Sequence, residues 1–198
     1  KDLLYSNRDA SITKINSGAI VAENVNFSYK KNSPVLKDFN VNIRDKEKVA
    51  ILGSSGSGKS TFAKLLLKLH NYTGKIYLDN KNIQKIHTDT LRKNIVYINQ
   101  KTTLLDGTVI KNMMYGNRQS QSHIVDLLKK YDLLSIFSGL KKGVYERVLM
   151  SGTNLSLGMQ KVIILVRGIL KAHDSKIIFF DEPLAGLDQI SRTKVIKM

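Results

Sequence analysis

The chain has 198 residues, 42% of them hydrophobic and 24% charged, which suggests one large globular domain or two very small ones, with enough chain to bury a substantial core. Lys and Arg number 32 against 16 acidic residues, a formal charge of +16, so an anionic partner (nucleic acid, lipid headgroups or a phosphorylated ligand) is the first expectation. The absence of cysteine excludes a disulfide framework, a thiolate zinc site and a cysteine nucleophile.

Residues 1–18 are polar, lack sustained periodicity and end in Ser17-Gly18, which reads as a linker or extended arm with no secretory leader in Lys1–Asn7. Val21, Glu23, Val25, Phe27 and Tyr29 then fall at period two, as do Phe39, Val41 and Ile43, predicting two strands around a turn at Lys30–Pro34. Glu47–Leu52 reads as a short apolar strand running into a glycine-rich turn. Beyond that turn Phe62, Leu65, Leu66 and Leu69 make the stripe of a helix with one buried face. Lys75–Leu78 and Asn94–Ile98 read as strands. Residues 107–138 read as mainly helical, with Ile124, Leu127 and Leu128 on one face. Leu155–Lys171 is a long helix carrying Val162, Leu165, Val166, Ile169 and Leu170, and Lys176–Phe180 has the uninterrupted apolar character of a central parallel strand. No repeat is visible, and the runs Val162–Val166 and Ile177–Phe180 are too short to cross a bilayer. The class is α/β with an antiparallel N-terminal portion.

Gly53-Ser54-Ser55-Gly56-Ser57-Gly58-Lys59-Ser60 matches G-x-x-x-x-G-K-[ST] in full, between an expected strand and an amphipathic helix. Glycines let the backbone wrap so that its N–H groups point inward at phosphate oxygens, and the helix N-terminus adds partial positive charge. Lys59 is placed to neutralise β- and γ-phosphates and the Ser60 hydroxyl to ligate Mg²⁺, with Thr61 next along the helix. A second element narrows the choice among phosphate-binding enzymes: Asp181 and Glu182 follow directly on Ile177–Phe180. Asp181 suits a water-mediated hold on Mg²⁺, and Glu182 suits a general base for an attacking water.

The order of these motifs resembles the ATP-binding domain of ABC transporters over nearly the whole chain: a P-loop NTPase core with a parallel sheet, an antiparallel N-terminal β-subdomain and a helical signature subdomain near residues 103–170, with residues 19–198 as the domain. The resemblance implies that Tyr29 stacks on adenine and that Gln100, closing Val96–Gln100, is the glutamine that approaches Mg²⁺ and joins the site to a membrane domain. It places Leu155-Ser156-Leu157-Gly158-Met159-Gln160 at the signature, with Ser156 and Gly158 facing phosphate, and Pro183–Asp188 at the D-loop, with Asp188 as its acid. Thr103–Asn112 looks like the exporter version of the region after that glutamine, and with the polar arm it is most similar to exporters of bacterial peptides and bacteriocins. The resemblance thus implies an ATPase using ATP and Mg²⁺, paired with a second ATP-binding domain (homo- or heterodimer) and a membrane-spanning domain at the cytoplasmic face of a bacterial membrane.

The chain departs from the family pattern in three places. Leu157 and Met159 replace a glycine and a glutamine of L-S-G-G-Q, which predicts a weakened composite site opposite Leu157, a tolerated variant or a hydrolysis-poor cassette. Met150-Ser151-Gly152 stands where exporters often carry an acidic residue. The family's switch histidine lies beyond the Walker B glutamate, whereas His70, His87, His123 and His173 all precede Asp181; they read as surface or packing residues, and the domain is expected to be cut short at Met198. A nucleic-acid-associated ATPase of the same superfamily is the alternative that the charge suggests. Between Ser60 and Lys176 there are no sustained heptads and no aromatic-interleaved basic patch, so no nucleic-acid partner is expected.

Overall fold

The computed structural model describes residues 10–54, 56–99 and 102–198. In chain order its elements are β1 (Ile20–Lys30), β2 (Ser33–Ile43), α1 (Lys59–Leu66), β3 (Thr73–Leu78), β4 (Lys81–Asn82), α2 (Thr88–Asn94), β5 (Ile95–Ile98), β6 (Gly107–Thr108), α3 (Val109–Met114), α4 (Gln121–Lys130), β7 (Arg147–Val148), α5 (Leu157–Ala172), β8 (Ile177–Phe180) and α6 (Gln189–Ile196). The chain divides into two compact units, Lys1–Val96 with Asp174–Phe179 and Tyr97–His173 with Phe180–Met198.

The first unit is built on an antiparallel sheet in the order β2-β1-β3-β4. β1 and β2 form a hairpin whose turn is Lys31-Asn32, with Asn32 at φ 69, a left-handed position that asparagine tolerates. The register pairs Ile20 with Ile43 and Phe27 with Leu36, and it shifts between Ala22 and Val25 and again before Phe27. Side-chain amides replace the ladder bonds lost at those shifts. Asp38 N–H donates to Asn26 Oδ1 at 2.9 Å, Asn26 Nδ2 donates to Asp38 Oδ1 at 3.1 Å, and Asn24 N–H donates to Asn40 Oδ1 at 2.9 Å.

α1 lays Phe62, Leu65 and Leu66 into one core with Val25, Phe27, Ile76, Leu78, Ile83 and Ile86. The expected helical stripe ran on to Leu69, but α1 ends at Leu66 and Leu69 is exposed. Lys68 closes the helix: at φ 55 it donates its N–H to Leu65 O, and Leu69 N–H reaches back to Lys64 O. Glycine is the usual residue at such a position; here the lysine side chain explains the exception. Lys68 is buried, and its Nζ donates to Gln84 O at 2.9 Å and Ile86 O at 2.6 Å. Burial lowers its pKa.

The other side of that segment carries the N-terminal arm. Ser11 and Ile12 donate their N–H groups to Lys85 O, His87 N–H donates to Ile12 O, and Ile12 forms a parallel bridge with Ile86. Farther along, Asn16 N–H donates to Asp79 Oδ2 at 2.8 Å and Ser17 Oγ to Asp79 Oδ1 at 2.7 Å. These donors, with Lys81 beside them, hold the Asp79 carboxyl below the usual carboxylate range. Because the folded value is depressed, this tie contributes above the unfolded carboxylate value near ~3.9 and is lost as pH falls through the folded one. Asp79→Ala is therefore expected to lower the thermal midpoint by a constant margin from neutral pH to about pH 5, a margin that shrinks in more acid solution. A margin independent of pH down to acid unfolding would remove the carboxylate from the account.

β5 and β8 pair as a two-stranded sheet. Lys176 N–H donates to Asn94 O and Asp181 N–H to Ile98 O, so both strands advance together and the pairing is parallel. Lys176–Phe180 thus lies in a parallel ladder, but not at its centre: β5 is its one strand partner among the described residues, and Ile178 and Phe180 are exposed. The expected strand Glu47–Leu52 forms no ladder among the described residues, and Leu52 is 90% exposed. Glu47 is taken by a reverse turn, its N–H on Arg44 O and its carboxylate accepting Arg44 N–H at 2.8 Å. The residues after it have strand composition, but among the described residues no strand pairs with them.

In the second unit α3 packs against α4 and α5. Along α5, Ile163, Ile164 and Gly168 are buried as well as Val162, Leu165, Val166 and Leu170, so the helix is enclosed on more than one face. A Cβ on Gly168 would lie 2.3 Å from Ile98 Cδ1, so glycine sets how closely α5 approaches β5. Arg167 donates to the Asn112 carbonyl and to its Oδ1, both at 2.7 Å, while Asn112 Nδ2 donates to Leu105 O and Thr108 O. Among the described residues no helix is long and apolar enough to cross a membrane.

Candidate nucleotide site

The phosphate-type loop lies in the first unit. Ser57 N–H donates to Ser54 O, and α1 starts at Lys59 behind Gly58, which caps the helix at φ 94 without a side-chain hydrogen bond. Gly58 is required twice over: a side chain there would adopt a strained φ and its Cβ would stand 2.8 Å from Leu36 Cδ2. At Gly56 a Cβ would meet nothing within 4 Å, so the loop is uncrowded at that glycine. Lys59 folds back across it, Nζ donating to Gly53 O at 2.8 Å and Ser54 O at 2.7 Å. The first turn of α1 holds no acidic residue. An uncapped helix N-terminus behind a glycine-rich loop and one ammonium tethered to loop carbonyls suit a polyphosphate. Ser60 is half-buried on the first turn, and Thr61 is buried with its Oγ1 3.2 Å from Tyr29 Oη. Tyr29, half-exposed at the end of β1, meets the rings of Phe27 and His70. Its contact with Thr61 joins it to the loop helix, and His70 is a neighbour that the sequence reading had left among ordinary packing residues. Only tertiary proximity reveals that neighbour, because nothing in its spacing marks it. Ser55 and Gln100 lie outside the described residues.

The second unit carries the acids and the signature turn. Asp181 follows β8 and accepts a 2.6 Å hydrogen bond from Tyr97 Oη, which orients its carboxylate. Tyr97 is a second residue that sequence reasoning passed over. Glu182 is held at φ 49, a left-handed conformation that costs a residue of its type about 1 kcal/mol and marks a position fixed by its surroundings. The chain then turns tightly, Ala185 N–H donating to Glu182 O and Leu187 N–H to Leu184 O, while Lys161 Nζ donates to Ala185 O. Asp188 caps α6: its Oδ1 accepts Ser191 N–H at 2.8 Å and its Oδ2 the Ser191 hydroxyl at 2.7 Å, and these donors lower its pKa.

Ser156 caps α5, its Oγ accepting Met159 N–H at 3.2 Å. Accepting that bond leaves the hydroxyl proton to be donated outward. The first turn of α5 also lacks an acidic residue. Ser156, Gly158, Asp188, Ser135 and Lys194 line one open cleft of about 300 Å³, so the structure brings the signature residues and the D-loop acid together. Lys194 Nζ is anchored there by Asp132 at 2.7 Å and Ser135 Oγ at 2.6 Å. Leu157 points away from the core and is 68% exposed. Among the described residues no three His, Asp or Glu side chains gather to hold a metal by themselves. The Ser60 hydroxyl in the first unit and the Asp181 carboxylate in the second are each hard oxygen donors of the kind that suits Mg²⁺, an ion that needs no all-protein cage.

Comparison with known proteins gives this arrangement a family. The profile of the ABC transporter family matches residues 36–185. The multidrug resistance-like ATP-binding protein MdlB of Buchnera aphidicola is 37% identical over 177 residues, covering 88% of this chain and 30% of that protein. The lacticin-481/lactococcin-DR transport/processing ATP-binding protein lcnDR3 of Lactococcus lactis is 31% identical over 201 residues, covering 99% of this chain and 28% of that one. Among solved structures, a bacterial Atm1-family ABC exporter with ATP bound superposes with a TM-score of 0.86 at 25% identity, over 96% of this chain and 34% of the exporter. The chain thus spans about a third of the length of the proteins it matches. The fold is the α/β P-loop core with its antiparallel β-subdomain and helical subdomain, and the chain belongs to the ABC transporter family as an ATP-binding ATPase domain of the exporter type.

Proposed function

We propose that this chain binds and hydrolyses ATP with Mg²⁺ to power export of a peptide or other small substrate across a membrane. It would act as one of two paired nucleotide-binding domains coupled to a membrane-spanning domain at the cytoplasmic face. The observation that carries the reading is the loop itself, with Lys59 tethered to Gly53 O and Ser54 O above an uncapped α1. On phosphate binding the ammonium exchanges two exposed carbonyls for phosphate oxygens, and the backbone N–H groups at the uncapped start of α1 complete the cradle. Tyr29 supplies the base platform. The Ser60 hydroxyl, Asp181 and Gln100 are assigned to the metal, whose chemistry is to neutralise phosphate charge. Glu182 takes the proton of the attacking water. Ser156, Gly158 and Asp188 are assigned to the pairing face, where the Ser156 hydroxyl and the α5 N-terminus meet a phosphate of the partner domain's nucleotide. A transport/processing name among the relatives supports the peptide reading, and the boundaries 1–18 for the arm and 19–198 for the domain are part of the same proposal.

The reading is tested by Mg²⁺-dependent release of phosphate from ATP by the purified chain, alone and in the presence of detergent-solubilised membrane subunits from its source. A chain that binds no adenine nucleotide in any of these conditions overturns it. The signature departure gives a sharper prediction. Leu157 places a large, exposed apolar side chain at the first turn of α5, where a glycine would let backbone approach phosphate. Leu157→Gly is expected to raise ATPase turnover about tenfold, the gain from one or two restored charge-assisted contacts offset by a helix-propensity cost near 1 kcal/mol. No gain in turnover would remove the weakened-site idea and leave Leu157 as a tolerated variant.

A further inference from the structure

The strongest unassigned cluster is the group of three rings around Tyr29. The Tyr29 centroid lies 4.8 Å from that of Phe27 with the planes at 87°, and 5.2 Å from that of His70 at 86°. Phe27 and His70 are themselves 5.3 Å apart. Each pair lies in the range where ring edges and faces attract. Phe27 is buried in the sheet core, so it is a fixed wall, while Tyr29 is half-exposed and half-free to bind. His70 is the remaining support, and its own place is set by the turn before it, where Lys68 is pinned through Gln84 O and Ile86 O. The far end of Tyr29 is held by the hydroxyl contact to Thr61 at 3.2 Å, and the Lys64 ammonium stands 5.8 Å from the ring centroid.

We propose that His70 is a positioning residue for the nucleotide base: with Phe27 it locks the Tyr29 ring so that its exposed surface is a preformed platform for a purine. This rests on the stacking role assigned to Tyr29 above. A ring free to rotate about χ1 and χ2 loses that freedom when a base stacks on it, and a ring already held does not. The bracing therefore adds to the affinity for the base and adds nothing to the affinity for the phosphates. An imidazole that merely shielded Phe27 from water would affect stability and leave the two ligands equally served.

The test is the ratio of dissociation constants for inorganic tripolyphosphate and ATP, both with Mg²⁺, measured on the same preparations of the full chain. His70→Ala is expected to lower the preference for ATP about threefold to tenfold, the range of one or two edge-to-face contacts. His70→Phe, which restores a ring of similar size, is expected to return the ratio to within about twofold of wild type. Tyr29→Ala should lower it at least as far as His70→Ala. A wild-type ratio in His70→Ala, with Tyr29→Ala lowered, overturns the bracing and leaves the platform standing. A wild-type ratio in Tyr29→Ala overturns the platform, and the role of His70 with it. Because both ligands meet the same molecules, partial unfolding of a variant lowers the two alike and does not mimic the expected change.

Discussion

Lys59→Ala is expected to weaken ATP binding about a hundredfold and to abolish measurable turnover. The Lys59 Nζ makes two hydrogen bonds, to Gly53 O and Ser54 O at 2.8 and 2.7 Å, and both acceptors are solvent-accessible loop carbonyls. In water such neutral acceptors are worth little more than hydration, so exchanging them for anionic phosphate oxygens costs little and gains charge-assisted bonds of about 1.5–3 kcal/mol each. Discounting for the exposure of the loop leaves about 3 kcal/mol, a factor of about a hundred. The same tether also shapes the loop, since it ties residue 59 of α1 to the start of the turn. Alanine therefore removes an anchor as well as a charge. Lys59→Arg separates the two contributions: it keeps the charge, and its longer planar fork is expected to recover part of the affinity and little of the turnover. Titration with a fluorescent ATP analogue measures the first quantity and phosphate release the second. Affinity within threefold of wild type in Lys59→Ala would show that the loop binds phosphate by backbone alone.

Legibility differed sharply between motif and packing. The eight residues Gly53–Ser60 and the acids Asp181 and Glu182 were plain in the sequence because their chemistry depends on residue type at fixed spacing, which a linear string records. The hairpin β1–β2 and the helix α5 were legible from periodicity, yet their limits were not. α1 stopped short of Leu69 because Lys68, a residue with no sequence mark of a helix end, takes a left-handed turn to reach Gln84 O and Ile86 O. Val49, Ile51 and Leu52 have the composition of a strand, and composition cannot say whether a neighbour supplies the ladder. The helpers of the site were hidden for a related reason. Tyr97, which donates to Asp181 from 84 residues away, and His70, which meets Tyr29 from the segment after α1, become visible only when distant segments are brought together. The opening charge of +16 was a poor guide by comparison, since the residue that uses it at the nucleotide loop is a single lysine.

Glu182→Gln is expected to lower ATP turnover by about 10²–10⁴ while leaving ATP affinity within a few-fold of wild type. The amide keeps the size and the hydrogen-bonding reach of the carboxylate and loses only its capacity to accept a proton, so the change isolates the chemical step from binding. The backbone supports this choice of residue. Glu182 is the second residue after β8, whose ladder with β5 ends in the bond from Asp181 N–H to Ile98 O, and its φ of 49 turns the chain sharply beyond the strand end. A glutamate in a left-handed conformation is held there by its surroundings, since its own preference is against it. Asp181 is assigned the other task, holding the metal, and one of its carboxylate oxygens accepts from Tyr97 Oη at 2.6 Å. Tyr97→Phe accordingly serves as the contrasting variant: it frees that oxygen, leaves Glu182 untouched, and is expected to alter the Mg²⁺ dependence of turnover more than its maximum. Single-turnover measurement with labelled ATP is the suitable assay, since it reads the chemical step even when steady-state turnover is slow. Cleavage in Glu182→Gln within fivefold of wild type would take the general-base role from Glu182. Loss of ATP affinity equal to the loss of turnover would instead make it a binding residue.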